Sequence, residues 1–460
     1  MTEIVCISPI DGSVVARRVT ATAAEIERAV VAARKAQTEW AHVAIPERGR
    51  VMLRFLDAMR DANADITIEL ARQMGRPVRY GGEFRSFEDR VKHMVAIAES
   101  ALAPVVPDPK DGFIRHIKRM PLGLVLTIAP WNYPFLTAVN TIVPALMAGN
   151  AVILKAASQT ILTGQRFAAA FAQSGLPAGL FANLCLTHDN TARLIASGAV
   201  NHVSFTGSVE GGRAVERAAA GTFTSIGLEL GGKDPAYVRA DANLVQAVEN
   251  IVDGAFFNSG QSCCGVERIY VHETHFAAFV DGFVDLTRKY VLGDPLAEAT
   301  TLGPMAATRF ADTVREQTRA ALAKGARAHI TAGTFAAERD GTPYLGPQVL
   351  TGVDHSMAVM TEESFGPVVG IMKVRDDAEA VRLMNDSPFG LTASIWTADL
   401  DAAARLGAKI QTGTVFANRC DYLDPALAWT GVKDTGRGAS LSHLGYEALT
   451  RPQSFHLRRI

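Results

Sequence analysis

Cys263 ends the string Phe256-Phe257-Asn258-Ser259-Gly260-Gln261-Ser262-Cys263, just after a Gly-Gln turn, in a chain that has only five cysteines. A thiolate is the strongest ordinary side-chain nucleophile. A free cysteine is otherwise a small buried hydrophobe, the reading given to its neighbour Cys264. Glu229 stands between two leucines in Leu228-Glu229-Leu230-Gly231-Gly232-Lys233. A lone buried carboxylate is costly. The position therefore calls either for an ion pair, with Lys233 at hand, or for a general base whose pKa burial raises. Asn132 lies in Ala129-Pro130-Trp131-Asn132-Tyr133-Pro134, a Pro-bracketed turn. Its amide suits an oxyanion donor, although turns also favour asparagine for their own geometry. Nucleophile, base and oxyanion donor are the parts of an acyl-transfer site.

A second set of residues points to a phosphate-bearing cofactor. Phe205-Thr206-Gly207-Ser208 follows an apolar strand and opens a helix. Free N–H groups and the helix dipole there would hold a pyrophosphate, although no GxGxxG pattern occurs. Lys155 ends the apolar run Ala151-Val152-Ile153-Leu154, at the edge where parallel sheets bind ligands. A solvated lysine is the alternative. Glu363 and Phe365, in Glu362-Glu363-Ser364-Phe365-Gly366-Pro367, read on their own as a loop with a core phenylalanine.

These residues need a scaffold, and 460 residues exceed what one core usually serves, so two large domains are expected. Apolar residues make up 48% and the net charge is −1. Neither figure leaves an electrostatic footprint for nucleic acid or a membrane surface. No zinc-ligand spacing appears, and no metal is expected. The N-terminus lacks a charged region followed by an apolar core, and Pro144 and Gly149-Asn150 break the most apolar segment, Thr141 to Leu154. With an odd, scattered set of cysteines, this predicts a cytoplasmic protein without a disulfide framework.

Thr22 and Glu25 form a capping box that opens a helix through about Trp40, and Pro46 starts a helix running towards Met74. A third helix is expected over Glu83 to Leu102, then an exposed strand over Phe113 to Arg119. From Leu122 the pattern alternates. Strands are expected at 122–129, 151–154, 180–186 and 200–205, and helices at 135–148, 159–173 and 189–197. Apolar strands alternating with helices predict a doubly wound parallel sheet. A second α/β series starts near Gly232, with helices at 245–257, 275–289, 309–324, 378–384 and 400–406. A strand is expected at 268–272, and another over the tail from Ser454 to Arg458.

Together the Asn-Ser-Gly-Gln-Ser-Cys, Leu-Glu-Leu-Gly-Gly-Lys and Pro-Trp-Asn-Tyr-Pro strings resemble the aldehyde dehydrogenase superfamily, and the resemblance runs through the Gly431-to-Gly438 stretch. It implies an α/β fold with a doubly wound dinucleotide-binding domain over 1–102 and 122–231 and an α/β catalytic domain over 232–430. A small β oligomerisation element over 103–121 and 431–460 would make a homodimer or homotetramer. It also implies oxidation of a small-molecule aldehyde to the acid with NAD or NADP, through a thiohemiacetal and a thioester on Cys263, with Asn132 as oxyanion donor and Glu229 as base. Trp131, Lys155, Ser158, Gly207, Ser208, Glu363 and Phe365 would contact the cofactor. Ser158 stands where the family usually carries a glutamate that binds the ribose hydroxyls, so NADP is expected beside NAD. This segment is similar to some succinate-semialdehyde dehydrogenases.

The substrate tunnel is expected to be lined by Tyr133, Thr137, Asn140, Ser262, Tyr422 and Trp429. Arg419 would either face a substrate carboxylate or pair with Asp421 or Asp424. The latter is the expectation, and it favours uncharged aldehydes. Two rival readings are a CoA-acylating semialdehyde dehydrogenase, whose members typically lack the glutamate, and a non-enzymatic protein that has kept the fold.

Overall fold

The computed structural model describes residues 2–460. Two parallel sheets organise it. The first runs, from edge to edge, Gly436–Arg437, Ser225–Glu229, His202–Thr206, Leu124–Ile128, Ala151–Lys155 and Phe181–Asn183. All neighbours are parallel except Gly436–Arg437, which returns antiparallel beside Ser225–Glu229. The chain builds this sheet outward from Leu124–Ile128 in one direction and then crosses back to add His202–Thr206 on its other side. That reversal makes a crevice at the carboxyl ends of the central strands, the place where such sheets bind ligands. Leu124–Ile128 and Ala151–Lys155 are buried at every residue, which explains why they read as continuous apolar runs.

The second sheet has the order Arg327–Ala328, Gln348–Thr351, Val368–Val374, Val266–His272, Asp234–Val238, Thr392–Trp396 and Thr414–Ala417. It is parallel except at its Arg327–Ala328 edge. One core lies around the first sheet, and two more cover the two faces of the second.

The helices follow the sequence pattern with local differences. The capping box at Thr22 and Glu25 is present and starts Ala23–Trp40. The stretch from Pro46 to Met74 is two helices, Ile45–Asp61 and Asn63–Met74, parted at Ala62. The expected 159–173 helix begins as a 3-10 turn, Ser158–Thr160, and becomes α-helical only at Leu162–Ser174. The expected strand at 180–186 shrinks to Phe181–Asn183 because it is an edge strand with one neighbour. An N-terminal hairpin, Glu3–Ile7 with Val14–Val19, was not foreseen. Phe113–Pro121 pairs with Thr450–Arg458 along nine residues as a separate two-stranded ribbon.

Candidate active site

The turn before Cys263 is conformationally costly. Asn258, Ser259 and Gly260 have φ of 54°, 58° and 69°, a region that non-glycine residues rarely adopt. Buried side chains hold it. Ser259 Oγ donates to the Gly303 carbonyl at 2.8 Å, Gln261 Nε2 to the Asn258 carbonyl at 3.1 Å, and Ala306 N to Gln261 Oε1 at 2.8 Å. Two glycines allow the close packing. A Cβ on Gly260 would lie 2.4 Å from the Gly366 carbonyl oxygen, and one on Gly232 would lie 2.3 Å from the Cys263 carbonyl oxygen. Cys263 thus reaches the crevice on a rigid turn, half-buried and with a free thiol.

Asn132 follows the strand Leu124–Ile128 and is buried. Its Nδ2 donates to the Gln261 carbonyl at 3.1 Å, in the cysteine's own turn, and its carbonyl accepts from Arg76 Nη2. Arg76 also donates to Asn258 Oδ1 at 3.2 Å and pairs with Glu83 at 2.9 Å. Both partners of this pair are nearly inaccessible to solvent. Glu83 in turn accepts from Phe135 N and Leu136 N at 3.1 and 2.6 Å, at the start of the helix Pro134–Met147. One buried ion pair therefore ties together the backbone at Asn132, the cysteine turn and a helix N-terminus. Sequence reading missed both residues, because neither stands in a motif.

Glu229 ends the strand Ser225–Glu229. Its Oε1 accepts from Ser440 Oγ at 2.6 Å and its Oε2 from Thr206 Oγ1 at 3.4 Å. Burial raises its pKa above the ordinary carboxylate value, against the lowering effects of the Ser440 hydrogen bond and the Arg90 charge. The ion pair with Lys233 is not formed. Lys233 Nζ turns the other way, to Glu267 at 2.5 Å and Ser364 Oγ at 2.9 Å. Glu267 accepts from Ser364 N and Phe365 N, both at 2.8 Å, and so shapes the loop that carries Glu363 and Phe365.

Two cavities flank Cys263 and Glu229. The larger, about 880 Å³, is lined by Trp131, Lys155, Ser158, Gly207, Ser208, Glu363 and Phe365, together with Cys263 and Glu229. Its volume lies within the range of cofactor sites. Ser208 caps the helix Val209–Ala219 through its contact with Gly211 N at 3.2 Å. Lys155 is buried, its ammonium meets no hydrogen-bond partner among the described residues, and its pKa is lowered by that burial. A lysine ammonium lining the cavity, a helix N-terminus and an exposed Ser158 suit a polar phosphate- and ribose-bearing ligand. Phe365, held at φ 48°, meets Trp131 edge-on at 5.5 Å, and Trp131 stacks on Phe310 at 5.0 Å. The Glu363 carboxyl accepts from Gly232 N at 2.8 Å, and burial pushes its pKa up to about 7. The N-terminal hairpin also reaches this cavity through Val5, Ile7 and Ser8.

The smaller cavity, about 310 Å³, is lined by Tyr133, Thr137, Asn140, Ser262, Tyr422 and Trp429, and also reaches Cys263 and Glu229. Arg90, Asp421 and Cys264 line it as well. Arg90 is buried, donating from Nη1 to Asn140 Oδ1 at 3.0 Å and to the Leu136 carbonyl at 2.7 Å. Asp421 accepts from Cys264 Sγ at 2.8 Å and from Ser262 Oγ at 3.3 Å, and burial pushes its pKa up to about 6. Cys264 therefore shares the cavity through a specific contact rather than by packing alone. Arg419 corrects a second expectation. It forms no ion pair with Asp421 or Asp424; its guanidinium lies 3.6 Å from the Tyr422 ring centroid, on the exposed side. Asp421 is turned inward and is unavailable to it.

No helix among the described residues is long and apolar enough to cross a membrane, and no metal-ligand cluster occurs among them.

The sequence matches the family model of the aldehyde dehydrogenase family over residues 1–455. It is 35% identical over 428 residues to an aldehyde dehydrogenase of Paenarthrobacter nicotinovorans, covering 92% of this chain and 93% of that protein. It is 32% identical over 459 residues to the NAD(P)+ succinate semialdehyde dehydrogenase Sad of Escherichia coli (strain K12), covering 100% and 99% of the two chains. A solved structure described as giving insights into cofactor and substrate selection by Gox0499 superposes with a TM-score of 0.94 at 32% identity, covering 99% of this chain and 100% of that one.

Proposed function

The chain belongs to the aldehyde dehydrogenase family, and we propose that Cys263, Glu229 and Asn132 carry its NAD(P)-dependent oxidation of an aldehyde to an acid. The observation that carries this assignment is the position of Cys263 and Glu229 on the wall shared by the two cavities. The thiolate of Cys263 bonds to the aldehyde carbon. The Asn132 amide and the Cys263 N–H stabilise the oxyanion that forms. When bound, the cofactor supplies the acceptor for the hydride that this carbon loses. Phe365 and Glu363 would hold its nicotinamide end, Gly207 and Ser208 with Trp131 nearby its pyrophosphate, and Lys155 and Ser158 its adenosine ribose. Glu229 then takes a proton from water, which attacks the Cys263 thioester and releases the acid. The retained carboxylate at 229 favours hydrolysis over transfer to CoA. Three intact chemical groups on two cavities favour an enzyme over a binding protein.

Ser158 should admit a 2′-phosphate, so activity is expected with both NAD and NADP. Introducing a carboxylate by Ser158→Glu should raise KM for NADP roughly tenfold, on the order of 1–2 kcal/mol of repulsion, and leave NAD nearly unchanged. Equal losses for both cofactors would place residue 158 away from the 2′ position.

The substrate reading is an uncharged aldehyde, for a reason that replaces the one drawn from Arg419. Asp421 faces the smaller cavity and would repel a substrate carboxylate, while tyrosine and tryptophan rings supply apolar area. The kcat/KM of an uncharged aldehyde should exceed that of succinic semialdehyde of similar length, and Asp421→Asn should narrow the gap. A wild-type preference for the semialdehyde would reverse this reading.

The chain is further proposed to divide at about residues 102, 121, 231 and 430 as the sequence suggested, and to assemble in the cytoplasm as a dimer or tetramer through the Phe113–Pro121/Thr450–Arg458 ribbon.

A further inference from the structure

The smaller cavity holds a buried cation without an ion-pair partner. Arg90, on the helix Phe84–Ala101, lines it and is only 6% exposed. Its Nη1 donates to Asn140 Oδ1 and to the Leu136 carbonyl. Its Nε is buried without a partner, and its Nη2 meets no hydrogen-bond partner among the described residues. Two carboxylates act on its charge, Glu83 and Glu229. Both are engaged elsewhere, Glu83 with Arg76 and Glu229 with Ser440 and Thr206. Free donors on a buried guanidinium are costly. An acceptor on the same cavity is also free. Asp421 takes its bonds from Cys264 and Ser262 on Oδ1 alone, and its Oδ2 accepts from no described residue. Arg90 and Asp421 form no ion pair with each other, although both line this space of about 310 Å³. The side chains that hold Asp421 flank Cys263 in the chain, so the free acceptor stands close to the reacting carbon and not at the far end.

We propose that the substrate is a short hydroxyaldehyde whose hydroxyl, on the first or second carbon beyond the carbonyl, bridges Arg90 and Asp421. Its oxygen accepts from Arg90 Nη2, and it donates its proton to Asp421 Oδ2. The proposal deepens the reading of an uncharged aldehyde and rests on it. A hydroxyl is the smallest group that both accepts and donates. A carboxylate would satisfy Arg90 but meet Asp421 as a like charge, and an ammonium would do the reverse. A plain alkyl chain would leave both charges in a dry cavity without partners. Nearby polar groups do not compete for the hydroxyl. Thr137 Oγ1 donates to the Tyr133 carbonyl at 2.9 Å, and Asn140 Oδ1 is taken by Arg90. Asp253, a further carboxylate on this cavity, is exposed and stays hydrated. Burial pushes the Asp421 pKa up to about 6, so at pH 8 the group is an ionised acceptor. The volume stands at the lower end of ligand sites, which fits a chain of a few carbons. The hydroxyl takes no part in the oxidation and leaves with the product, a hydroxy acid.

The test measures kcat/KM at pH 8 for propanal, 2-hydroxypropanal, 3-hydroxypropanal, 3-aminopropanal and succinic semialdehyde. In wild type one of the two hydroxypropanals should exceed propanal roughly ten- to a hundredfold. Asp421→Asn and Arg90→Met should each lower that ratio at least about fivefold, and Arg90→Lys, which keeps a charged donor, should retain part of it. Taking the ratio to propanal within each variant removes any general loss of activity, and comparing ratios between variants cancels the differing hydration of the aldehydes. Wild type that uses propanal as well as both hydroxypropanals overturns the inference and leaves the uncharged reading standing. So does a hydroxyl preference that persists unchanged in both Asp421→Asn and Arg90→Met. A preference for succinic semialdehyde or 3-aminopropanal over every neutral aldehyde rejects the uncharged reading itself. The first comparison needs wild type alone, so a variant that fails to fold does not block the test.

Discussion

Cys263→Ala should lose aldehyde-dependent NAD(P)H formation by a factor on the order of 10⁶, the scale at which removing a nucleophile acts in other enzymes. No nearby group replaces it. Cys264 is buried and donates to Asp421, and its pKa is held well above the usual thiol value, chiefly by its hydrogen bond to Cys263 and by burial. Cofactor binding should survive, because Lys155, Ser208 and Phe365 line the larger cavity independently of the sulfur. Cys264→Ala removes a thiol that touches Asp421 and Ser262 but takes no part in the chemistry, and should cost activity by no more than about tenfold. Steady-state assays and cofactor titration of the two variants check this. Turnover by Cys263→Ala, or its loss in Cys264→Ala alone, would move the nucleophile to the neighbouring cysteine.

Glu229→Gln should separate the two halves of the reaction. An amide cannot take a proton from water, so thioester hydrolysis should slow by about 10²–10⁴-fold, while thioester formation changes little. Stopped-flow traces are expected to show a burst of NAD(P)H stoichiometric with the enzyme, followed by slow turnover. The wild-type enzyme should also show a pH dependence that the variant lacks. Burial raises the Glu229 pKa, and below that pKa the carboxyl is already protonated and cannot act. Hydrolysis should therefore rise with pH along a limb lying above the ordinary carboxylate range. A variant that turns over like the parent, or keeps that limb, would assign the base to another group.

Much of the fold was legible because its signals are local. Leu124–Ile128 and Ala151–Lys155 are buried on both faces and read as apolar runs, and the Thr22 capping box is written in four residues. The second sheet was harder. Of its seven strands only Val266–His272 was read from the sequence; Gln348–Thr351 and Thr414–Ala417, for example, are four residues long, too short to show a period. The N-terminal hairpin was legible, from Asp11-Gly12 between two β-prone runs, and went unread, although it reaches the larger cavity. Within the site, the catalytic candidates named from the sequence lie in local strings. Partners that act across the fold were not named. Arg76 lies 56 residues from Asn132, and Ser440 lies 211 from Glu229. A single sequence has no means of pairing residues so far apart. Arg419 failed for a related reason: proximity along the chain suggested Asp421 as its partner, but the backbone at Asp421, with φ of 48°, turns that carboxyl inward.

The central claim is that oxidation passes through a thioester on Cys263. It is tested most directly by mixing Glu229→Gln with an aldehyde and NAD(P)+, quenching in acid after the burst, and locating the adduct by peptide mass spectrometry. The expected result is one acyl group, heavier than the free thiol by the mass of the aldehyde less two hydrogens, on the peptide bearing Cys263 and Cys264, and absent from Cys263→Ala/Glu229→Gln. An acyl group that persists in that double variant, or a burst of NAD(P)H with no acylated cysteine, would contradict it.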